Sequence, residues 1–382
     1  MSASFIKTIS ELYEQRFNVK MENVIKNRTP CGIFFGFNFN SQVAAENVQI
    51  IINSGLNIKC AVVISSVQAE QLKSLINVPV VALDNFPSFE EKPKIIFITN
   101  DINASVFLPC FARHGIDLFK IYDDSFPFVM KHLPELYSVY EMLGSDESKK
   151  VFCAAIKGNV TGKISDYRFA PEPQYFLNGF LPNAGDIAID GGAYDGSTAL
   201  DFAKCGATVY AFEMDANNYK NCVARLDKVG VGNITLENFG LSDKESQENY
   251  FSFGIGSQKN SNGNSIAKFI NLDTYVARKN LPRVDYIKLD IEGAELDMLH
   301  GAAKTITRCK PKMAVSAYHR PEDLFTLATY IKSLRADYEF EFRHYQIDCT
   351  DYVLDDEQRA ILRHFGLNYF LPTSCEMVLY CI

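Results

Sequence analysis

Seven residues, Asp190-Gly191-Gly192-Ala193-Tyr194-Asp195-Gly196, join the apolar run IAI to the helical pattern STALDFAKCG. Glycines at the carboxyl end of a strand let a ligand approach the backbone closely. Glu213, followed by Met214, ends the next apolar run, 23 residues beyond Asp190. A carboxylate there can accept both hydroxyls of a ribose. Together these features fit any adenosine-type ligand. The spacing is not G-x-G-x-x-G, because Ala193 stands where the middle glycine would be. Asp190 puts a negative charge ahead of the loop, which repels a pyrophosphate and attracts a sulfonium or an α-ammonium group. S-adenosylmethionine is therefore favoured over NAD as the cofactor, with NAD as the alternative.

A second constellation lies in VDYIKLDIEG, ahead of the helical AELDMLHGAAKTI. Asp290 and Glu292 stand at i and i+2, so on a strand they face one side. Two such acids can orient a hydroxyl, take its proton, or hold a divalent cation that acidifies it. The structural alternative for Glu292 is to stabilise the N-terminus of the helix that begins near Gly293. That for Asp190 is to satisfy backbone N–H groups of its own loop. His319 follows the strand-like PKMAVSAY and precedes Arg320-Pro321. At a strand tip it faces a cleft, and an ordinary histidine, titrating near pH 6.5, is largely neutral in the cytoplasm and ready to accept a proton. His344, in a late strand, is a second candidate. Arg320 and Arg343 suit either an anionic substrate or structural pairing.

Strands alternating with helices must position these groups. In residues 25–125 the runs CGIFFGF, IKCAVVISS, VPVVALDNF, KIIFITND and KIYDDS (120–125) alternate with helical stretches, which indicates a parallel sheet. The turn after the first of them, Gly36-Phe37-Asn38-Phe39-Asn40, has one glycine and two phenylalanines, so a diphosphate is not expected there. Residues 126–180 lack the alternation and read as a helical connector. From 186 it resumes, with seven strands ending in YEFEFRHY and EMVLYCI. The polar stretch 254–265 reads as a loop beside the site. The expected organisation is an N-terminal α/β domain (1–125), the connector (126–180) and a catalytic α/β domain (181–382).

Composition excludes several classes. Of 382 residues, 47% are hydrophobic and 22% charged, which is globular rather than disordered. No apolar run approaches the roughly 20 residues that cross a bilayer. A net charge of -8 without a basic block argues against nucleic-acid partners. The ten cysteines form no C-x-x-C pair and read as reduced thiols of a cytoplasmic protein.

Several of these segments resemble the FkbM family of methyltransferases, in the family's order: EPQYF, DGGAYDGSTALDF, VYAFEMDANNYKNC, FGLSDKE, IKLDIEGAELDMLHGA, AYHRPEDL, FRHY and EMVLYCI. The resemblance spans roughly 140–345 and the last seven residues. It implies a class I, Rossmann-like methyltransferase domain with a seven-stranded mixed sheet, preceded by the smaller α/β domain. It implies S-adenosylmethionine as donor and O-methylation of a sugar, sugar nucleotide or related polar metabolite, in surface-polysaccharide or secondary-metabolite biosynthesis. Asp190, Gly191, Gly192, Ala193, Tyr194 and Gly196 match the donor loop. Glu213 with Met214 matches the ribose acid, and Leu241, Ser242 and Asp243 the adenine side. Asp290 and Glu292 match the acids at the reaction centre, Asp290 also against the donor, and His319 and His344 lie in family elements. A cation, if any, would sit on Asp290 and Glu292. The partner is then a small hydroxylated molecule, with homo-oligomerisation left open. The rival readings are a nicotinamide-dependent oxidoreductase or sugar-nucleotide-modifying enzyme, and a non-catalytic binding module. Between Tyr345 and Glu376 the chain departs from the family by an inserted segment, expected to cap the substrate side or to pair subunits.

Overall fold

A computed structural model describes all residues except 1–4, 6–8, 10, 13, 14, 38, 99–101, 121–124, 178, 253–256, 349–354, 368, 369, 373 and 374. The chain packs as two compact units. One comprises residues 1–133, 150–169 and 346–374, the other 134–149, 170–345 and 375–382.

The first unit is built on β1 (Pro30–Phe35), β2 (Asn57–Val63), β3 (Val80–Ala82), β4 (Ile95–Ile98) and β5 (Asp117–Lys120), in the order β3-β2-β1-β4-β5. Every neighbouring pair is parallel. Such strands are covered on both faces, which is why they read as near-continuous apolar runs. The last strand ends where it was expected to begin, and 121–124 lie outside the described residues. At the end of β1 the Phe37 ring packs on Phe107 at 5.3 Å, and Phe39 on Phe35 at 6.3 Å. The helix that follows, Ser41–Asn53, is capped by Asn40, whose side chain accepts from the N–H groups of Gln42 and Val43. That cap satisfies donors that would otherwise serve a phosphate.

In the second unit β6 (Ile187–Gly191), β7 (Thr208–Phe212) and β8 (Ile234–Glu237) come first. They are followed by β9 (Gly240–Leu241), β10 (Ser246–Phe251), β11 (Gln258–Lys259) and β12 (Ser265–Ile270), then β13 (Tyr286–Leu289), β14 (Lys312–Ser316) and β15 (Phe340–His344). After the short β16 (Ile347–Asp348) and β17 (Phe370–Leu371) of the first unit, β18 (Met377–Cys381) closes the chain. The main sheet runs β15-β18-β14-β13-β6-β7-β8, with β18 antiparallel between β14 and β15 and the other pairs parallel. This is the seven-stranded mixed sheet expected of a Rossmann-like methyltransferase. Its core strands bury Ile189, Val209, Ala211, Ile287, Leu289, Met313 and Val315, each large side chain contributing about 1.5–3 kcal/mol.

A second sheet, β11-β10-β12-β9, was not foreseen. β10 alternates partly buried and exposed residues, and its face is polar enough to read as loop. Part of the expected 254–265 loop is therefore strand, while 254–256 lie outside the described residues.

The inserted segment belongs to the first unit. Its helix, Asp356–His364, starts in a capping box made by Asp355 and Gln358. Leu362 and Leu367 are buried in one hydrophobic cluster with Phe34, Phe107 and Phe111. The His364 Nε2 lies 2.7 Å from Asp84 Oδ1. Cys31, Cys60 and Cys222 are free thiols, and burial pushes them up to about 11, 12 and 12 respectively. No helix among the described residues is long and apolar enough to cross a membrane.

Candidate active site

The carboxyl ends of β6, β7, β13 and β14 carry the site residues. Gly191 ends β6 against Leu289 and Leu241, where an added Cβ would lie 2.9 and 3.2 Å from their side chains. Gly192 has φ +79, and a Cβ there would collide with the Asp290 carbonyl oxygen. The 190–196 loop thus lies directly on the backbone that carries the acids. The N–H groups of Gly192 and Ala193 both donate to the Phe212 carbonyl, at 3.0 and 2.9 Å. Gly196, at φ +80, opens the helix Ser197–Lys204. These contacts bring loop and β7 together, and Glu213 fastens them. Its Oε2 accepts from Tyr194 N–H at 2.8 Å and its Oε1 from Asp215 N–H at 2.7 Å. Burial raises the Glu213 carboxyl to about 7 despite those two bonds. Met214 packs on the cluster of Tyr250, Ala267 and Phe269. Leu241 is buried beside Gly191, and Ser242 donates to Asp243 Oδ1 at 3.2 Å.

Asp190 does not offer a bare carboxylate to a ligand, as its place in the sequence suggested. It is wholly buried, 3.2 Å from the Lys288 ammonium. Lys288 also donates to the carbonyls of Gly191 (3.2 Å) and Gly192 (2.7 Å). Burial opposes both charges. The Asp190 carboxyl still sits above its usual range, while Asp190 and Asp290 hold Lys288 above its own. The pair is an internal brace for the loop. Lys288 was legible as a charged residue inside a buried strand, two positions before Asp290, and sequence reasoning passed over it.

Asp290 is the hub of the second constellation. Its Oδ2 accepts from Tyr175 Oη at 2.9 Å, and its Oδ1 lies 3.4 Å from both Tyr318 Oη and His319 Nε2. Burial alone would raise its carboxyl. Lys288, His319 and the hydrogen bonds outweigh that and hold it below the usual carboxylate range. His319 is surrounded by acids: Nε2 is 3.7 Å from Glu292 Oε2, and Nδ1 is 2.9 Å from Glu295 Oε1. Burial depresses the imidazole, but Glu295, Asp290 and Glu292 drive it up to about 10. His319 is therefore an imidazolium at neutral pH, which corrects the expectation of a neutral base. Glu292 stands at about 7, raised by burial against the pull of His319, and its side chain is 29% exposed.

Glu376 completes the cluster and was not singled out from the sequence. It accepts from Gln174 Nε2 at 2.6 Å and Tyr318 Oη at 3.2 Å. Burial and the nearby Asp290 raise it to about 7. Tyr175, Glu295 and Glu376 sit in segments that carried the family resemblance, yet their chemistry shows only once the strands are side by side. Of seven non-glycine residues with positive φ among those described, Tyr175 (66), Tyr194 (48), Glu292 (56) and Glu376 (63) belong to this site. Such conformations cost of order 1–3 kcal/mol each and cluster where a side chain must be re-aimed.

The structure does not bring His344 into this group. It is buried in the edge strand β15, in register with Met377. β15 lies three strand spacings, about 14 Å, from β13. Arg343 pairs with Glu172 and Glu341, and so serves the fold.

Residues 190–366 match a family model described as the methyltransferase FkbM domain. Among solved structures, the methyltransferase FkbM of Methylobacillus flagellatus KT is similar, with a TM-score of 0.66 and 20% identity, covering 99% of this chain and 98% of that one. An rRNA methylase from Streptococcus thermophilus gives a TM-score of 0.31 at 16% identity, over 52% of this chain and 87% of its own. The precorrin-6y C5,15-methyltransferase of Geobacter metallireducens GS-15 gives 0.33 at 11%, over 53% and 81%. The first likeness is one of fold and extends over nearly the whole chain. No curated protein matches the chain.

Proposed function

Residues 190–366 match the methyltransferase FkbM domain, and from that likeness we propose that the chain moves a methyl group from S-adenosylmethionine to a hydroxyl of a sugar, sugar nucleotide or related polar metabolite. The observation that carries this reading is the packing of Gly192 on the Asp290 backbone. It sets a loop suited to the donor against a cluster suited to deprotonating an acceptor.

Donor binding falls to the 190–196 loop and Glu213. The loop's glycines admit the methionine end, and the Glu213 oxygens keep lone pairs for ribose hydroxyls after taking two backbone N–H groups. The donor supplies a methyl already activated by its sulfonium charge. The protein's share is to align oxygen, methyl and sulfur, and to take the proton as the oxygen attacks. Glu292 fits the base role best. It is partly exposed and has a carboxyl near neutrality, where a general base is most effective. Asp290, fixed by Tyr175 and Tyr318, orients the acceptor. His319 carries positive charge that offsets the surrounding acids. A divalent cation beside Asp290 and Glu292 would be an alternative source of such charge.

Surface-polysaccharide or secondary-metabolite pathways suit an acceptor of this class. The test is calorimetry with S-adenosylhomocysteine, followed by mass spectrometry of a metabolite extract incubated with donor and protein. Micromolar-range binding and a methylated, hydroxyl-bearing product are expected. Folded protein that binds neither donor nor its product would refute the reading.

A further inference from the structure

We propose that Asp290, Glu295 and His319 form a binding site for a divalent transition-metal cation, with Glu292 on its open side. One ligand atom from each of the three lies within 4.8 Å of the others. Imidazole and carboxylate together are the donor set of zinc, manganese or iron rather than of magnesium or calcium.

Two buried atoms point to an occupant. The His319 side chain is 8% exposed and that of Glu295 only 1%. Yet His319 Nε2 and Glu295 Oε2 have no hydrogen-bond partner. A buried polar atom left unsatisfied costs about 1–3 kcal/mol, and more if charged. A cation that displaces the His319 Nε2 proton to solvent and binds these two atoms and Asp290 would satisfy both at once. Nε2 lies 3.4 Å from Asp290 Oδ1. That is long for a hydrogen bond, but it is the spacing of two ligands each about 2.1 Å from a tetrahedral ion.

The surroundings are those of a supported metal centre. Glu295 Oε1 accepts from Ile291 N–H at 2.8 Å and lies 2.9 Å from His319 Nδ1, which places a backbone-held carboxylate beside the imidazole. Tyr175 fixes the Asp290 carboxylate from its other oxygen. Such outer contacts orient the ligands of metal sites. Gly293, at φ +90, leaves room for the His319 backbone: an added Cβ there would lie 3.2 Å from Arg320 Nε and 3.7 Å from His319 Cβ.

The use of the cation rests on the methyltransferase reading. An acceptor hydroxyl beside it becomes a stronger acid. The hydroxyl proton passes to Glu292 and on to solvent. The oxygen's electron pair forms the C–O bond as the C–S bond breaks, and that bond's pair leaves on sulfur as S-adenosylhomocysteine.

The experiment is calorimetric titration of EDTA-stripped full-length protein with Mn²⁺ and with Zn²⁺, with S-adenosylhomocysteine binding measured on the same samples. One ion per chain is expected, with His319→Ala and Asp290→Asn each weakening it at least tenfold. Glu295→Gln is expected to weaken it by about 10–100-fold. Thermal unfolding checks that each variant is folded, and Glu292→Gln, at a partly exposed position, is a milder second probe, expected to weaken the ion several-fold. No stoichiometric ion in a protein that still binds S-adenosylhomocysteine overturns the cation site and leaves the methyltransferase reading standing. An ion whose affinity is unchanged in folded His319→Ala and Glu292→Gln also overturns it. Cation binding without S-adenosylhomocysteine binding sinks the methyltransferase reading instead.

Discussion

Glu213 provides the sharpest test of donor binding, because its carboxyl titrates inside the working pH range. It is 6% exposed and burial raises it to about 7. Ribose hydroxyls donate to the ionised form, so donor affinity must fall as that form is lost. With one proton competing, the apparent Kd scales as one plus the ratio of protonated to ionised carboxyl. That ratio is about 10 at pH 6 and about 0.1 at pH 8, so binding weakens by up to about tenfold, or ~1.4 kcal/mol. Stability of the ligand-free protein runs the other way. The folded pKa is raised above the unfolded value, so this contribution is complete below about pH 4.5 and lost as pH rises through about 7. The assay is calorimetry with S-adenosylhomocysteine at pH 6, 7 and 8 on wild type and Glu213→Gln. The variant should bind more weakly and lose the slope. Both Glu213 oxygens accept a backbone N–H, and a glutamine offers an acceptor at only one of those two positions. The variant is therefore expected to lose about 1–3 kcal/mol of stability as well. A wild-type Kd that changes less than twofold between pH 6 and 8, or a variant with the same slope, refutes the role given to Glu213.

Lys288→Met leaves Asp190 buried without its counter-charge and should destabilise the protein by about 3–5 kcal/mol in urea unfolding, with a smaller loss when Asp190→Asn is added. Gly192→Ala forces a side chain against the Asp290 carbonyl, and is expected to abolish S-adenosylhomocysteine binding in calorimetry or to prevent folding. Leu362→Ala opens a cavity in the first unit's core and should cost about 2–5 kcal/mol in thermal or urea unfolding. Full-length protein is expected to give no NADH fluorescence change on titration, since Asn40 and the phenylalanines occupy the end of β1.

Most strands of the main sheet were legible as apolar runs, as buried parallel strands are, and the antiparallel edge strand β15 as an alternation of buried and partly exposed residues. The β9–β12 sheet was not, because SQENYF offers polar residues to solvent and only Tyr250 to a core. Asp290, Glu292 and His319 could be picked from sequence as residue types at strand tips. The protonation of His319 could not, since it depends on Glu295, which approaches it only when β13 and β14 lie side by side. Glu376 is 86 residues beyond Asp290 and meets it through Tyr318. No spacing rule reports such a contact. His344 illustrates the converse, since a suggestive residue type at a strand end can still be three strands away.

The interleaving of the two units has a consequence for synthesis and for dissection of the protein. Ile164, Leu362 and Leu367 belong to the same cluster as Phe34 and Phe107, so an N-terminal unit emerging from the ribosome lacks part of its core. β18, which separates β14 from β15, is made later still. Neither core can close until residues 346–382 have been translated, so domain-by-domain folding during synthesis gives way to a single late step. Cutting the chain anywhere between 150 and 345 separates segments of both units. Function assigned to either half must therefore be tested by point substitution in the whole chain, because truncation would report only the loss of the fold.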